Sequence, residues 1–252
     1  MLKNCVKFLV LSLAMMVSGC ASMTSVRHSE SYDTTLQRQK EMVILPANVE
    51  VSTFDVSSKQ TRMYDYEMHL EDIIKTALTT ELGNHGFRTK SLNRRQIHEQ
   101  HLEEAVGRVR SAYNAARDEL YANGPMMDKK KASSIINNIG PAATELGEKT
   151  SSDVILLVDY VGSIKTNGAR TRDFIVSLLI NNSSLLHDAD SARIVVGIID
   201  AKTGQLLWTN WSTHSEDLYS SMLSNASSQE KLENKKLQII IKQLVAPWKE
   251  KK

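Results

Sequence analysis

The sequence predicts a single α/β (α+β) domain on one mixed β-sheet of about four to six strands, flanked by helices and carrying helical insertions. Three observations predict it. Residues 153–160 (DVILLVDY) form a continuous apolar run bounded by polar residues, the pattern of a strand covered on both faces. Two stretches, 66–84 and 102–120, repeat apolar residues at helical spacing between extended segments. Residues 193–211 hold two strand-like runs separated by DAKTG, a hairpin pattern. Composition agrees with one core-bearing domain: 252 residues, 41% hydrophobic and 24% charged.

The first 19 residues read as an export signal. Lys3 and Lys7 precede the ten-residue apolar run 8–17, followed by Ser18-Gly19-Cys20. As a helix, ten residues cover about half of the ~30 Å hydrocarbon core, too little to span it. Val17-Ser18-Gly19-Cys20 resembles the lipobox of bacterial lipoproteins. The resemblance implies cleavage between Gly19 and Cys20, a diacylglyceryl group on the Cys20 thiol and acylation of the new amine. Each buried CH₂ contributes about 0.8 kcal/mol, so two or more chains hold a protein on a membrane durably. Ala21 follows Cys20, in place of the aspartate that resembles an inner-membrane retention signal, and this favours the periplasmic face of the outer membrane. With Cys5 lost and Cys20 alkylated, no thiol remains for a disulfide, a nucleophile or a metal. Setting aside Lys3 and Lys7 leaves 29 basic against 29 acidic residues, so the basic footprint of a nucleic-acid binder is missing.

Residues 20–40 are polar and Ser/Thr-rich, which predicts a flexible lipid-anchored tether reaching roughly 25 Å. The domain is expected to fill 41–252. Val43-Ile44-Leu45, then Val49, Val51 and Phe54, predict a first strand broken at Pro46. Leu70, Ile73, Ile74, Ala77, Leu78 and Leu82 mark a helix stopped by Gly83 or Gly86, and 87–92 is a short strand. Leu102, Ala105, Val106, Val109, Tyr113, Ala116 and Leu120 mark a longer helix ending before Asn123-Gly124-Pro125. Residues 133–149 read as a weak helix broken by Gly140-Pro141. The run 153–160 is expected at the sheet centre. Residues 174–186 fit a helical stripe better than strand alternation. The hairpin turn places Gly204 in the left-handed region with Asp200 accepting turn amides. Leu232, Leu237, Ile240, Ile241 and Leu244 predict a closing amphipathic helix.

Taken together, the initial strand, the following helix, DVILLVDY and the hairpin GIIDAKTGQLLWTN resemble bacterial envelope lipoproteins with a TolB amino-terminal-like α/β domain. That group includes the curli-secretion and penicillin-binding-protein activator lipoproteins. The resemblance spans 41–210 in element order, and its motif is specific over 153–160 and 198–208, with Asp200, Thr203, Gly204 and Trp208 as the hairpin's motif residues. The pore-forming members carry further long alternating strands, which have no match here. DAKTGQLLW also looks like one repeat of a quinoprotein-type β-propeller, but it occurs once, and a propeller needs it in every blade. Trp208 and Trp211 stand at odd spacing and hence on opposite faces of one strand, one for the core and Trp211 for a surface or interface. The polar face of the second long helix is the other candidate surface.

No catalytic or metal residues and no cofactor are assigned. His98 and His101 miss the i, i+4 spacing of a zincin by one residue. Lys165-Thr166 lacks the glycines of a phosphate loop, and Ser228 with Lys231 is a chance spacing in a chain rich in both. Asp153, Asp159 and Asp200 flank strands and would serve as catalytic carboxylates only if they met at one sheet edge; turn and strand-end capping is the alternative. The expected function is that of a periplasm-facing, outer-membrane, non-catalytic accessory or assembly factor binding another envelope protein. The alternative is a ring-forming, homo-oligomeric subunit of an envelope secretion or export assembly.

Overall fold

The computed structural model describes residues 23–122, 135–166, 191–215 and 226–245. The lipobox and the expected helix at 174–186 lie outside them. In chain order the elements are β1 (Met23–His28), α1 (Tyr32–Arg38), β2 (Glu41–Ile44), β3 (Asn48–Phe54), β4 (Gln60–Arg62), α2 (Tyr64–Asn84), β5 (Arg88–Ser91), α3 (Arg94–Glu99), α4 (Glu103–Leu120), α5 (Pro141–Thr150), β6 (Val154–Lys165), β7 (Ser191–Asp200), β8 (Leu206–Ser215) and α6 (Ala226–Val245).

The strands form one mixed sheet in the order β1-β8-β7-β6-β2-β5, with β3 also on β6 and β4 on β3. β6 is the centre, as its apolar run requires. β7 lies antiparallel along one side, and β2 and β3 lie end to end, parallel, along the other. Its side chains alternate between two cores. Val154, Leu156, Val158 and Tyr160 pack with α1, α2 and α6, whereas Ile155 and Leu157 pack with α3, α4 and α5.

The sheet has eight strands, beyond the four to six expected, for three local reasons. The apolar run 43–54 is divided: Ile44 pairs with Leu156 and Asn48 with Asp159, so three residues (45–47) oppose two (157–158), a one-residue bulge. Pro46, which has no N–H to donate, sits in that bulge, and its carbonyl accepts from Arg110 Nη2. The three-residue β4 is fully exposed and has no apolar signature. β1 occupies part of what reads as a tether.

That last difference is the largest. Met23–His28 pairs residue for residue with β8, and α1 follows with Tyr32 and Leu36 buried one turn apart. The side chains that β1 buries are Ser25 and Arg27, so a hydropathy reading finds no strand there. A further correction concerns 133–149. Pro141 opens α5 at its first turn, where a missing N–H costs nothing, and Gly140 at φ +83° turns the chain into it.

Candidate functional site

α4 lies across the sheet face formed by β6, β7, β8 and β1. It can approach closely because β7 carries Gly197 where the Tyr113 ring stands: a Cβ on Gly197 would lie 2.2 Å from Tyr113 Cε2. Tyr113 is fully buried, and its hydroxyl is 3.2 Å from Thr209 Oγ1 on β8. Burial raises its pKa, so the hydroxyl stays neutral.

One helical turn on, Arg117 reaches the sheet. Its Nη1 donates to Asp159 Oδ2 at 2.5 Å and to Asn114 Oδ1 at 3.0 Å. Asp159 is 5% exposed, so the pair is a buried one. At the end of α4, Tyr121 donates its hydroxyl to the Ser25 carbonyl at 2.8 Å. Burial pushes its pKa up to about 12, so it too remains a donor at neutral pH.

The Tyr121 ring gathers two further groups. Trp211 meets it edge-on at 5.0 Å between centroids, and Arg27 Cζ lies 5.3 Å from its centre. Arg193 of β7 lies over Trp211, 5.1 Å from the centre of that ring. Arg27 is 4% exposed; its Nη1 donates to Ser25 Oγ and the Val26 carbonyl, and its Nη2 has no partner. The buried Trp211 Nε1 has none either. Among the described residues no carboxylate lies within 4.0 Å of Arg27 or Arg193. The row thus holds positive charge and, at Arg27 Nη2 and Trp211 Nε1, buried N–H donors without an acceptor among the described residues.

Trp208, by contrast, is sealed into the core on the α2 and α6 side, opposite Trp211, and the neighbouring Asn210 there donates to the Leu244 carbonyl at 3.0 Å. Asp200 Oδ1 accepts from the amides of Lys202 (2.8 Å) and Thr203 (3.4 Å), and Gly204, at φ +72°, donates its N–H to the Asp200 carbonyl. A side chain at Gly204 would meet the Gly140 carbonyl at 2.7 Å, so both space and backbone conformation require glycine there. This turn is five residues along β7 from Val195, the partner of Trp211, so Asp200, Thr203 and Gly204 shape the fold and stand apart from the arginine cluster. Gly19 and Cys20 lie outside the described residues.

The three aspartates do not converge. Asp153 and Asp200 share one end of β6 and β7, while Asp159 is six residues along β6, about 20 Å away. Each is engaged locally. Asp153 binds Lys202 at 2.8 Å and accepts from the amides of Lys40 and Glu41. The Lys202 hydrogen bond, ahead of the two amides, holds the Asp153 carboxyl below its ordinary 3.8. A lowered folded pKa gives stability that is complete above the unfolded value and is lost as pH falls through the folded one. Asp153→Asn is therefore expected to lower the urea midpoint at pH 7 and to make no difference once pH drops well below 3.8. Equal loss at both extremes would show that the carboxylate charge is not what matters.

The two histidines also separate. His98 is on α3 and contacts Glu103 Oε1 at 2.6 Å, whereas His101 lies beyond the helix at φ +52°. Among the described residues no group of three His, Cys, Asp or Glu is placed to hold a metal. A cavity of about 60 Å³ lies at the carboxyl ends of β2 and β5, lined by Pro46, Glu71, Lys75, Ser91 and Asn93. Sheet crevices of this kind bind ligands in other α/β proteins, but about 60 Å³ holds roughly two waters, against the 300 Å³ or more of a typical ligand pocket.

Of the face built by Trp211, sequence reasoning found the tryptophan and missed Arg27, Tyr121 and Arg193. The available signal was the polar alternation Ser25-Val26-Arg27, in which a single apolar residue is flanked by the two residues that the fold buries on the other face.

No protein-family model matches the chain, and no curated protein does. Solved structures similar to it include the PelC dodecamer from Paraburkholderia phytofirmans, at 9% identity over 92% of this chain and 100% of that one, TM-score 0.39. Lipoprotein GNA1162 from Neisseria meningitidis shares 9% identity over 79% of this chain and 95% of its own, TM-score 0.30. The LpoB C-terminal domain from Salmonella enterica shares 8% over 75% and 96%, TM-score 0.29. The likeness is a loose one of overall fold, of the mixed α/β kind described above.

Proposed function

We propose that this protein is a lipid-anchored component of the bacterial envelope, held by Cys20 on the periplasmic face of the outer membrane, that acts by binding another envelope protein and not by catalysis. The observation that supports it most is Val17-Ser18-Gly19-Cys20 directly after a ten-residue apolar run. The fold adds support, because the carboxylates that would serve a hydrolase, Asp153, Asp159 and Asp200, are separated and each held in a structural contact. No helix among the described residues is long and apolar enough to cross a membrane.

The structure sharpens the geometry of such an anchor. β1 starts three residues after Cys20, and covalent geometry limits that span to about 11 Å. The domain would lie against the bilayer and not at the end of a 25 Å tether. Cys20→Ala is expected to move the exported chain from the membrane fraction to the soluble periplasm. Retention of that variant in the membrane would remove the anchoring reading.

A second reading, a subunit of a ring in a secretion assembly, draws support from the sheet: among the described strands β1 borders one end, and β5 and β4 border the other. Two different edge strands suit head-to-tail pairing of copies, the kind of contact that closes into a ring. The mass of the detergent-extracted lipidated chain by light scattering separates the two. One copy with a co-purifying protein supports the accessory role, and a stable homo-oligomer supports the ring.

A further inference from the structure

We propose that Arg193, Trp211 and Arg27 form a binding site for the phosphate of an anionic lipid headgroup, on the membrane that carries the chain. The lipid source rests on the Cys20 anchoring reading; the anion chemistry does not.

The sheet register places the three residues together. Arg193 pairs with Thr213, and Trp211 pairs with Ser25. Trp211 is therefore the diagonal neighbour of Arg193 across β7 and β8, and Arg27 is the diagonal neighbour of Trp211 across β8 and β1. Diagonal positions on one face of an antiparallel pair lie about 7–8 Å apart, within reach of long and aromatic side chains. The stacking contacts along Arg193, Trp211, Tyr121 and Arg27 agree with that spacing.

The chemistry of the row asks for an anion. Arg27 is a cation withdrawn from water with one guanidinium nitrogen unpaired, and Trp211 Nε1 is a second buried donor without an acceptor. Such groups destabilise a fold unless something accepts from them. A carboxylate of the same face, Asp159, stands in the row of Trp211 through Val195 and is already paired with Arg117. Guanidinium forks and an indole N–H suit the several acceptor oxygens of a phosphate.

Position selects the source. Met23, the first residue of β1, pairs with Thr213, and Thr213 with Arg193. Arg193 is thus two strand spacings, about 10 Å, from a residue that covalent geometry holds within about 11 Å of Cys20. Trp211 follows two residues along β8 from that level and Arg27 two further along, and a tryptophan flanked by arginines is the composition of a membrane–water boundary. With 29 basic and 29 acidic residues beyond the signal, the chain as a whole has no net attraction to an anionic bilayer, so a local site is what would distinguish the vesicles.

The test uses the chain from residue 21 to 252, which retains every described strand and helix and has no lipid of its own. It is sedimented with phosphatidylcholine vesicles, with vesicles of phosphatidylglycerol in phosphatidylcholine, and, separately, titrated with inorganic phosphate by tryptophan fluorescence. The expected result is sedimentation with the phosphatidylglycerol vesicles alone, reduced about fivefold by Arg193→Gln, and reduced by Trp211→Phe, which leaves an aromatic ring in place and removes the N–H. Both variants alter half-buried positions, so they test the site without the folding risk of removing Arg27. Equal sedimentation of the parent and both variants, or none with phosphatidylglycerol, overturns the proposal. Saturable binding of inorganic phosphate without vesicle binding overturns the lipid assignment. Because this chain lacks the anchor, its outcome is independent of the Cys20→Ala fractionation, and the two readings can fail separately.

Discussion

Gly197→Ala is expected to destabilise the protein by about 2–3 kcal/mol, read as a lower urea midpoint at unchanged slope. The added methyl would stand 2.2 Å from Cε2 and 2.4 Å from Cζ of Tyr113, well inside contact distance. Neither side can yield easily. Gly197 is in the middle of β7, paired with Leu157 on one side and Thr209 on the other. Tyr113 is enclosed in the core between α4 and the sheet, with its hydroxyl on Thr209. A combined Gly197→Ala, Tyr113→Leu variant is expected to be more stable than the sum of the two single losses, because leucine vacates the space that the methyl needs. Strict additivity would mean that the two positions do not compete for that space.

Arg117→Met is expected to cost about 3–5 kcal/mol, because it strands the Asp159 carboxylate in a site with little access to water. The side chains of the pair are 15% and 7% exposed, so solvent screening is weak. Met keeps the aliphatic stem and removes only the charge and its hydrogen bonds. Adding Asp159→Asn to Arg117→Met should recover part of the loss, since no uncompensated charge then remains. Thermal unfolding of the two single variants and the double decides it, and a double variant no better than Arg117→Met would assign the cost to lost packing. The same pair explains why a loss of function in Asp159→Asn would not by itself identify a catalytic acid: the substitution disturbs how α4 sits on the sheet.

Much of the scaffold was legible from local pattern. The run 153–160 announced a strand covered on both sides, and the structure feeds its alternate residues to two cores. The long helices declared themselves by one apolar face each, with bounds that agree within a few residues. The turn from Asp200 to Gly204 has a side-chain acceptor and a positive-φ glycine at the positions such a turn needs. Where hydropathy and structure part, the cause is a burial that is polar. β1 is the clearest case: it is held by backbone pairing to β8, and it buries Ser25 and Arg27, which in sequence look like a solvated linker. Pro141 misled for a different reason, because a proline that ends one segment is also well suited to begin the next.

By itself the sequence determined the mixed α/β class, the central strand, the hairpin and the helices on either face, all of which are set by contacts within ten or twenty residues. The lipobox, too, is a property of contiguous residues. Only the tertiary structure decided that Arg27 and Arg193 stand on either side of the Trp211 position, and that Asp200 shares an end of the sheet with Asp153 and not with Asp159. Those relations depend on the pairing of β1 with β8 and of β6 with β7, strands distant along the chain, and on which face of the pleat each residue takes once the register is set.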